Sequence, residues 1–126
     1  MQAEFGVASA GKAIEHAGIE ASDIDLVICS SSHQQRPYPA IAIEMQEALG
    51  TRGAGFDMGL GCSSAAAALH MAVNLVRSGA HKRILVTTPE IITGHLNFRD
   101  RQTHFIFGDA SVSMVVEGLT QGERRP

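Results

Sequence analysis

Apolar and polar positions along the chain predict helices that alternate with strands. Ala10, Ile14 and Ala17 recur at helical spacing, and Gly18 follows as a stop signal. Short apolar runs rich in β-branched residues, bounded by polar turns, are typical of buried strands. Applied to the whole chain, these rules predict helices over residues 3–17, 41–49 and 65–76 and strands over residues 26–29, 53–58, 83–88 and 112–117.

This order of elements predicts the α/β fold class. Strands that alternate with helices favour a mixed, mostly parallel sheet with helices on both faces. The helix over residues 65–76 is apolar nearly all round, so we expect it to be buried. We expect residues 119–126 to be a linker or a disordered tail, which leaves residues 1–118 as the domain.

Composition narrows the class of protein further. The 126 residues fit one small domain, and 10 basic against 13 acidic residues give a net charge of −3. This balance indicates neither nucleic acid nor a membrane surface as a partner. No apolar run approaches the roughly 18–20 residues that span a bilayer. Two cysteines are too few for a secreted disulfide framework, so we expect free thiols and a cytoplasmic location.

Cys62 is the most informative candidate for chemistry. It lies between a predicted strand and a predicted helix, among the small residues of the stretch 59–65. Unpaired N–H groups and the dipole at a helix N-terminus favour the thiolate, and a backbone N–H there can donate to an oxyanion. The pattern therefore indicates a nucleophile that accepts an acyl group, although a buried structural cysteine gives the same pattern.

The other candidates are weaker. Cys29 ends an apolar strand, where packing is the expected role. His70 lies eight residues after Cys62, on the predicted helix that Cys62 precedes, and at roughly 12 Å it is too far for a hydrogen bond. None of the histidines has the spacing of a metal site, so no metal is expected. Arg99 and Arg101 belong to a charged loop that is either a solvated surface or a site for an anionic ligand.

Several motifs occur in a fixed order over nearly the whole chain. They are Ala17-Gly18 before Asp23-Ile24-Asp25, Tyr38-Pro39-Ala40 before Leu49-Gly50, Gly55-Phe56-Asp57 before Cys62, Arg77-Ser78-Gly79, and Asp100-Arg101 before Phe107-Gly108-Asp109-Ala110. In this order the chain resembles the N-terminal half of β-ketoacyl-acyl carrier protein synthase III, a condensing enzyme of the thiolase superfamily. The resemblance implies an incomplete, thiolase-like half-domain, and residues 94–101 resemble a divergent branch of the family.

The resemblance also assigns roles to four residues. Cys62 matches the catalytic nucleophile, whose own N–H forms one arm of the oxyanion hole. Arg101 matches the arginine that packs against the adenine of coenzyme A, and Ile92 matches a residue that lines the acyl pocket. Tyr38 matches the aromatic residue that reaches into the acyl pocket of the neighbouring subunit, which implies a homodimer. No cofactor is implied other than the coenzyme A thioester, which is a substrate.

The implied reaction starts fatty acid elongation. A primer acyl group passes from acyl-coenzyme A to the cysteine, and malonyl-acyl carrier protein then loses carbon dioxide and attacks the thioester. Two alternatives stay open from the sequence. One is a polyketide-, quinolone- or hydroxymethylglutaryl-type synthase of the same superfamily, and the other is a non-catalytic half-domain that pairs with a partner subunit.

Three departures from the family pattern matter. The catalytic His and Asn of the family lie in a C-terminal half that this sequence does not match, and the family's first strand precedes Met1. Ser63, Ser64 and Ala65 stand where the family commonly has Ala-Gly-Phe. We therefore expect a fragment that lacks its C-terminal half and exposes apolar faces. Such a chain should associate or be only marginally stable when it is alone.

Overall fold

The computed structural model describes residues 1–120 and 122–123. Within these residues the helices are α1 (Gln2–Ala17), α2 (Ile41–Leu49) and α3 (Ser64–Arg77), and the strands are β1 (Leu26–Ser30), β2 (Ala54–Met58), β3 (Arg83–Glu90) and β4 (Ala110–Glu117). Each of the predicted helices and strands is present, with ends that differ by at most two residues. The antiparallel pairing of Pro89 with Ser111 and of Glu90 with Ala110 explains why β3 and β4 extend beyond their predicted bounds.

The strands form one mixed sheet in the order β2-β1-β3-β4. Strand β1 is parallel to β2 and to β3, and β4 is antiparallel to β3. Helices α1 and α2 pack on one face of the sheet and α3 packs on the other. The fold class predicted from the pattern is therefore confirmed, and the carboxyl ends of β1, β2 and β3 meet at one edge.

Alternation along β1 explains how one strand serves two cores. Val27 and Cys29 face α1 and α2, whereas Leu26 and Ile28 face α3, and all four side chains are buried. A strand that is covered on both faces is a nearly continuous apolar run, as predicted for residues 26–29, and only the last residue of β1, Ser30, is polar.

Asp57 fixes the start of α2 against the sheet. Its carboxylate accepts hydrogen bonds from the N–H groups of Ile41 (2.7 Å) and Ala42 (2.8 Å). These are donors that a helix N-terminus leaves without a partner, and an anion there is also favoured by the helix dipole. The aspartate of the Gly55-Phe56-Asp57 motif thus holds helix and strand together.

The prediction that the third helix is buried is wrong for this chain. Only Ser64, Ala68 and Ala72 of α3 are buried, whereas Leu69 and Met71 each remain 38% exposed. The sheet covers one stripe of the helix, and no described element packs on the opposite stripe. The described residues therefore do not supply the burial that the apolar pattern of α3 predicts.

The predicted tail over 119–126 is described only in part. Residues 121 and 124–126 lie outside the described residues, and the described remainder contains no helix or strand. The boundary between domain and tail stays a prediction. Among the described residues, none of the helices has both the length and the apolar character needed to cross a bilayer.

Candidate active site

A crevice forms at the edge where the parallel strands end. The chain leaves β1 for β2 through α2 on one face and then returns past β1 to β3 through α3 on the other face. The connection after β1 and the connection after β2 thus run in opposite directions across the sheet. Such a switch point is where open α/β sheets bind ligands.

The structure contains a cavity of about 420 Å³ at this edge. Its walls come from the ends of β1 and β3, from the start of α3 and from the loop before β4. The lining residues are Ser30, Ser32, Gly61, Cys62, Ser64, Ala65, Thr88, Glu90, Ile92, Phe107 and Gly108. The structure thus brings Cys62 and Ile92, two of the residues singled out by the sequence, to the same cavity.

Cys62 is exposed at this cavity and directly precedes Ser63, the N-cap residue of α3. The buried structural role that the sequence left open therefore does not apply to Cys62. It applies to Cys29, which is fully buried in β1. Burial, together with the negative charges of Asp57 and Glu90, raises the pKa of the Cys29 thiol far above its usual range.

Ser64 holds the turn that carries Cys62. Its hydroxyl accepts a hydrogen bond from the N–H of Leu60 (2.7 Å) and lies within donating distance of the carbonyl oxygens of Gly61 (2.7 Å) and Ser31 (3.1 Å). Gly61 has φ +58°, a conformation that favours glycine. The Ser64 hydroxyl therefore braces the turn against the loop after β1.

Asp109 ties the loop that bears Ile92 to the start of β4. Its carboxylate accepts hydrogen bonds from the backbone N–H of Thr93 (2.9 Å) and from the Thr93 hydroxyl. The hydroxyl, followed by the backbone N–H groups of Thr93 and Ile92, lowers the pKa of Asp109. The Phe107-Gly108-Asp109 motif therefore has a defined structural role beside the cavity.

Tyr38 and Arg101 do not join Cys62 within this chain. Tyr38 is 85% exposed on the loop before α2, and Arg101 is exposed on the loop after β3. Neither side chain hydrogen-bonds or forms an ion pair with the described part of the chain. The neighbouring Asp100 is engaged instead by the Thr103 hydroxyl (2.7 Å) and the Gln102 N–H (2.9 Å), which lower its pKa. The roles of Tyr38 and Arg101 stay predictions.

Sequence reasoning missed a polar cluster at the end of β3. The carboxylate of Glu90 accepts hydrogen bonds from both the N–H and the hydroxyl of Ser32, and its Oε2 lies 3.9 Å from Nδ1 of His33. The ring of His33 packs edge-on against His95 at 4.4 Å between centroids. Within residues 1–120 and 122–123, no group of three or more His, Cys, Asp or Glu side chains is arranged to hold a metal ion.

The raised pKa of Cys29 predicts a stability that falls in alkali. The folded chain keeps this proton at a pH where the unfolded chain, with a thiol pKa of roughly 8.5, has lost it. The free energy of unfolding should therefore decrease above pH 8.5 or so, by about 1.4 kcal/mol per pH unit. Urea unfolding of the wild type and of Cys29→Ala measures the slope, which the variant should lack. Equal alkaline slopes would contradict the burial of this thiol.

Two curated acyl-carrier-protein synthases are similar in sequence to nearly the whole of this chain. The chain is 52% identical over 114 residues to a β-ketodecanoyl-[acyl-carrier-protein] synthase of Pseudomonas aeruginosa, covering 90% of this chain and 33% of that protein. It is 41% identical over 114 residues to a β-ketoacyl-[acyl-carrier-protein] synthase III of Brucella anthropi, covering 90% of this chain and 35% of the relative. The chain thus spans about a third of the length of these curated relatives.

Solved structures share the same fold. The priming β-ketosynthase from the R1128 polyketide biosynthetic pathway superimposes with a TM-score of 0.89 at 33% identity, over 93% of this chain and 35% of that one. The 3-oxoacyl-[acyl-carrier-protein] synthase III of Aquifex aeolicus gives a TM-score of 0.88 at 27% identity, over 92% of this chain and 38% of its own. The four strands described here therefore form part of a larger thiolase-like domain.

The family model described as 3-oxoacyl-[acyl-carrier-protein (ACP)] synthase III matches residues 56–125, which is more than half of the chain. This match includes Cys62, the whole of α3 and the strands β3 and β4. On this match, the chain belongs to the 3-oxoacyl-[acyl-carrier-protein] synthase III family.

Proposed function

We propose that this chain supplies the nucleophile of a decarboxylating condensing enzyme, an acyltransferase of fatty acid biosynthesis. The observation that carries the proposal is the exposed thiol of Cys62, at the N-terminus of α3 and on the wall of the cavity. Membership of the 3-oxoacyl-[acyl-carrier-protein] synthase III family supports the same reaction. Because the chain spans about a third of its relatives, the complete reaction needs residues beyond it.

In the first half-reaction, the thiolate of Cys62 attacks the thioester carbonyl of an acyl-coenzyme A. The carbonyl electrons move to oxygen, and backbone N–H groups near the start of α3 stabilise this oxyanion. Collapse of the intermediate breaks the bond to the coenzyme A sulfur, which leaves as a thiolate and takes up a proton. The acyl group is then held on Cys62, beside Ile92 and Phe107.

In the second half-reaction, malonyl-acyl carrier protein loses carbon dioxide. The electron pair of the broken carbon–carbon bond attacks the acyl carbonyl on Cys62, and the cysteine leaves as a thiolate. Residues that promote decarboxylation are expected in the C-terminal half. This chain therefore supplies the cysteine that holds the acyl group and the residues on one side of the cavity around it.

The exposed side chains support a binding role for parts of the surface. Arg101 has a guanidinium group with no partner in the described chain, which suits the adenine and phosphates of coenzyme A. Tyr38, at 85% exposure, suits a residue that inserts into the pocket of a second copy in a homodimer. The two free thiols are in keeping with a cytoplasmic enzyme.

The proposed primer is a medium-chain acyl group rather than an acetyl group. The Pseudomonas relative is named for a ten-carbon β-ketoacyl product, and condensation adds two carbons, which corresponds to an eight-carbon primer. Ala65 lines the cavity at the position where the family commonly has phenylalanine. The smaller side chain leaves room beside Cys62 for a longer acyl chain.

Replacing Ala65 with phenylalanine should shift primer choice towards short chains. Initial rates of Cys62 acylation by octanoyl- and acetyl-coenzyme A, followed by intact-mass spectrometry, give the octanoyl-to-acetyl ratio. We expect Ala65→Phe to lower this ratio about tenfold because the ring refills the cavity. Ala66→Phe places the same ring next along the helix, outside the cavity lining, and should leave the ratio unchanged. Faster acylation by acetyl-coenzyme A in the wild type would contradict the medium-chain assignment.

A second candidate function is the priming of a polyketide. It is favoured by the similarity to the R1128 priming ketosynthase, at 33% identity and a TM-score of 0.89. Both functions use the same acyl-cysteine and differ in the carrier protein that supplies the malonyl group. Condensation assays with fatty acid and polyketide carrier proteins in parallel separate them.

A further inference from the structure

The ladder between β1 and β3 stops before either strand ends. The last paired residues are Cys29 and Thr87, yet β1 continues to Ser30 and β3 to Glu90. Beyond the last pair, residues from both strand ends line the cavity that contains Cys62. This part of the cavity wall is therefore not held by the hydrogen bonds of the β1–β3 ladder.

Gln2 bridges this gap from the face covered by α1. Its side chain is 1% exposed, and its Nε2 is within hydrogen-bond distance of Pro89 O (2.8 Å), Ser31 Oγ (3.0 Å) and His33 O (3.1 Å). Its Oε1 accepts a hydrogen bond from the N–H of Gln35 (2.7 Å). One amide thus joins the loop after β1 to the end of β3. The buried amide can keep all of these hydrogen bonds only while the loop after β1 and the end of β3 stay at their present distance from each other.

The bridge continues to the residues that line the cavity. Ser31, held through its hydroxyl by Gln2, offers its carbonyl oxygen to the hydroxyl of Ser64, which braces the Cys62 turn. Pro89, held through its carbonyl, precedes Glu90, whose carboxylate accepts the hydroxyl of Ser32 (2.7 Å). Displacement of the Gln2 amide would therefore change the positions of residues on both sides of the crevice.

We propose that Gln2 is a positioning residue that sets the spacing between the ends of β1 and β3, and so determines how well an acyl chain fits beside Cys62. The inference rests on the proposed function for its meaning, since the acyl chain is the substrate of that reaction. Gln2 does not line the cavity and acts only through its hydrogen-bond partners Ser31, His33, Gln35 and Pro89. Loss of its hydrogen bonds should change the fit of a long reagent more than access to the thiol itself.

The experiment compares two alkylating reagents on Cys62 of this chain. Iodoacetamide reports access to the thiol, and N-octyl iodoacetamide reports in addition the fit of an eight-carbon chain. In Gln2→Met, which keeps the size of the side chain and removes its hydrogen bonds, we expect the octyl-to-plain ratio of rate constants to fall at least fivefold. Ser31→Ala removes one of the acceptors and should lower the ratio by less.

Gln46→Met is the matched control. Gln46 also donates from Nε2 to two carbonyl oxygens, those of Gly53 (3.3 Å) and Ala54 (2.9 Å), but it lies on α2 away from the cavity lining. Its variant should keep the ratio within twofold of the wild type. Cys29 serves as an internal monitor, because its burial protects it from alkylation as long as the chain is folded.

The outcomes separate the two proposals. An unchanged ratio in Gln2→Met and Ser31→Ala, or an equal fall in Gln46→Met, would overturn the positioning role. Rapid alkylation of Cys29 in both Gln2→Met and Ser31→Ala would also overturn it, since these residues would then maintain the fold as a whole. If the ratio falls as expected but octanoyl-coenzyme A never acylates Cys62, the positioning role stands and the proposed function fails.

Discussion

Replacement of Cys62 with alanine is expected to abolish condensation. The assay uses a chimera in which the 114 matched residues of the Pseudomonas relative are exchanged for those of this chain, so that the relative supplies the part of its own length that the match does not cover. Without the thiol no acyl-enzyme forms, so the turnover number should fall about 10³-fold or more. Product formation from octanoyl-coenzyme A and malonyl-acyl carrier protein provides the measurement.

Cys29→Ala is the control for this experiment. It removes the other free cysteine, which is buried in β1 and has no access to the cavity. We expect its turnover number to stay within a few-fold of the parent chimera. An active Cys62→Ala chimera would place the nucleophile elsewhere, whereas two inactive variants would show only that the chimera depends on an intact core.

Replacement of Gly53 with alanine should have the largest effect on stability. Gly53 precedes β2 with φ +95°, and a Cβ atom there would lie 2.1 Å from the carbonyl oxygen of Asp25. The left-handed conformation disfavours alanine by about 1–2 kcal/mol, and the backbone clash adds about 1–3 kcal/mol. We therefore expect a loss of about 3 kcal/mol or more, measured by urea unfolding of the chain.

Gly50 offers a matched comparison, because both glycines have a positive φ and they differ in their surroundings. Gly50 ends α2 with φ +73°, and a Cβ atom there would meet nothing within 4 Å. Gly50→Ala should therefore lose only the conformational part, about 1 kcal/mol. Equal losses in the two variants would contradict the close approach of the chain to Asp25, which places β2 beside β1 and so positions the turn that bears Cys62.

The elements could be predicted from the sequence because their signals are local. Helical spacing around Ile14 and the apolar run of β1 lie within a few residues, and Gly18 and Gly50 close their helices in the left-handed conformation. The position of Cys62 could also be predicted locally, since it follows β2 and precedes α3. The error over α3 has the opposite cause, because an apolar pattern shows that a surface needs cover and does not show what covers it.

The supporting network of the site could not be predicted, because its partners are far apart in the sequence. Gln2 reaches Pro89 across 87 residues, and Ser64 reaches Ser31 across 33. Asp57 caps a helix that begins 16 residues earlier in the chain. A glutamine near the start of a helix carries no pattern that distinguishes a buried bridge from a solvated side chain.

Several large apolar side chains are exposed on the loop between β3 and β4. Phe98, Phe105, Ile106 and Phe107 are each more than half exposed on the loop between β3 and β4. Together with the open stripe of α3, they agree with the expectation that this chain packs against further parts of a larger protein. The relatives, about three times as long, contain the length for such a cover.

Peptide mapping after incubation with octanoyl-coenzyme A tests the central claim most directly, because it locates the acyl group on one residue. The account predicts a single octanoyl thioester on the peptide that contains Cys62, removable by hydroxylamine, with the peptide of Cys29 unmodified. An unmodified Cys62 in both the chain and the chimera, or an octanoyl group on any other residue, would contradict it.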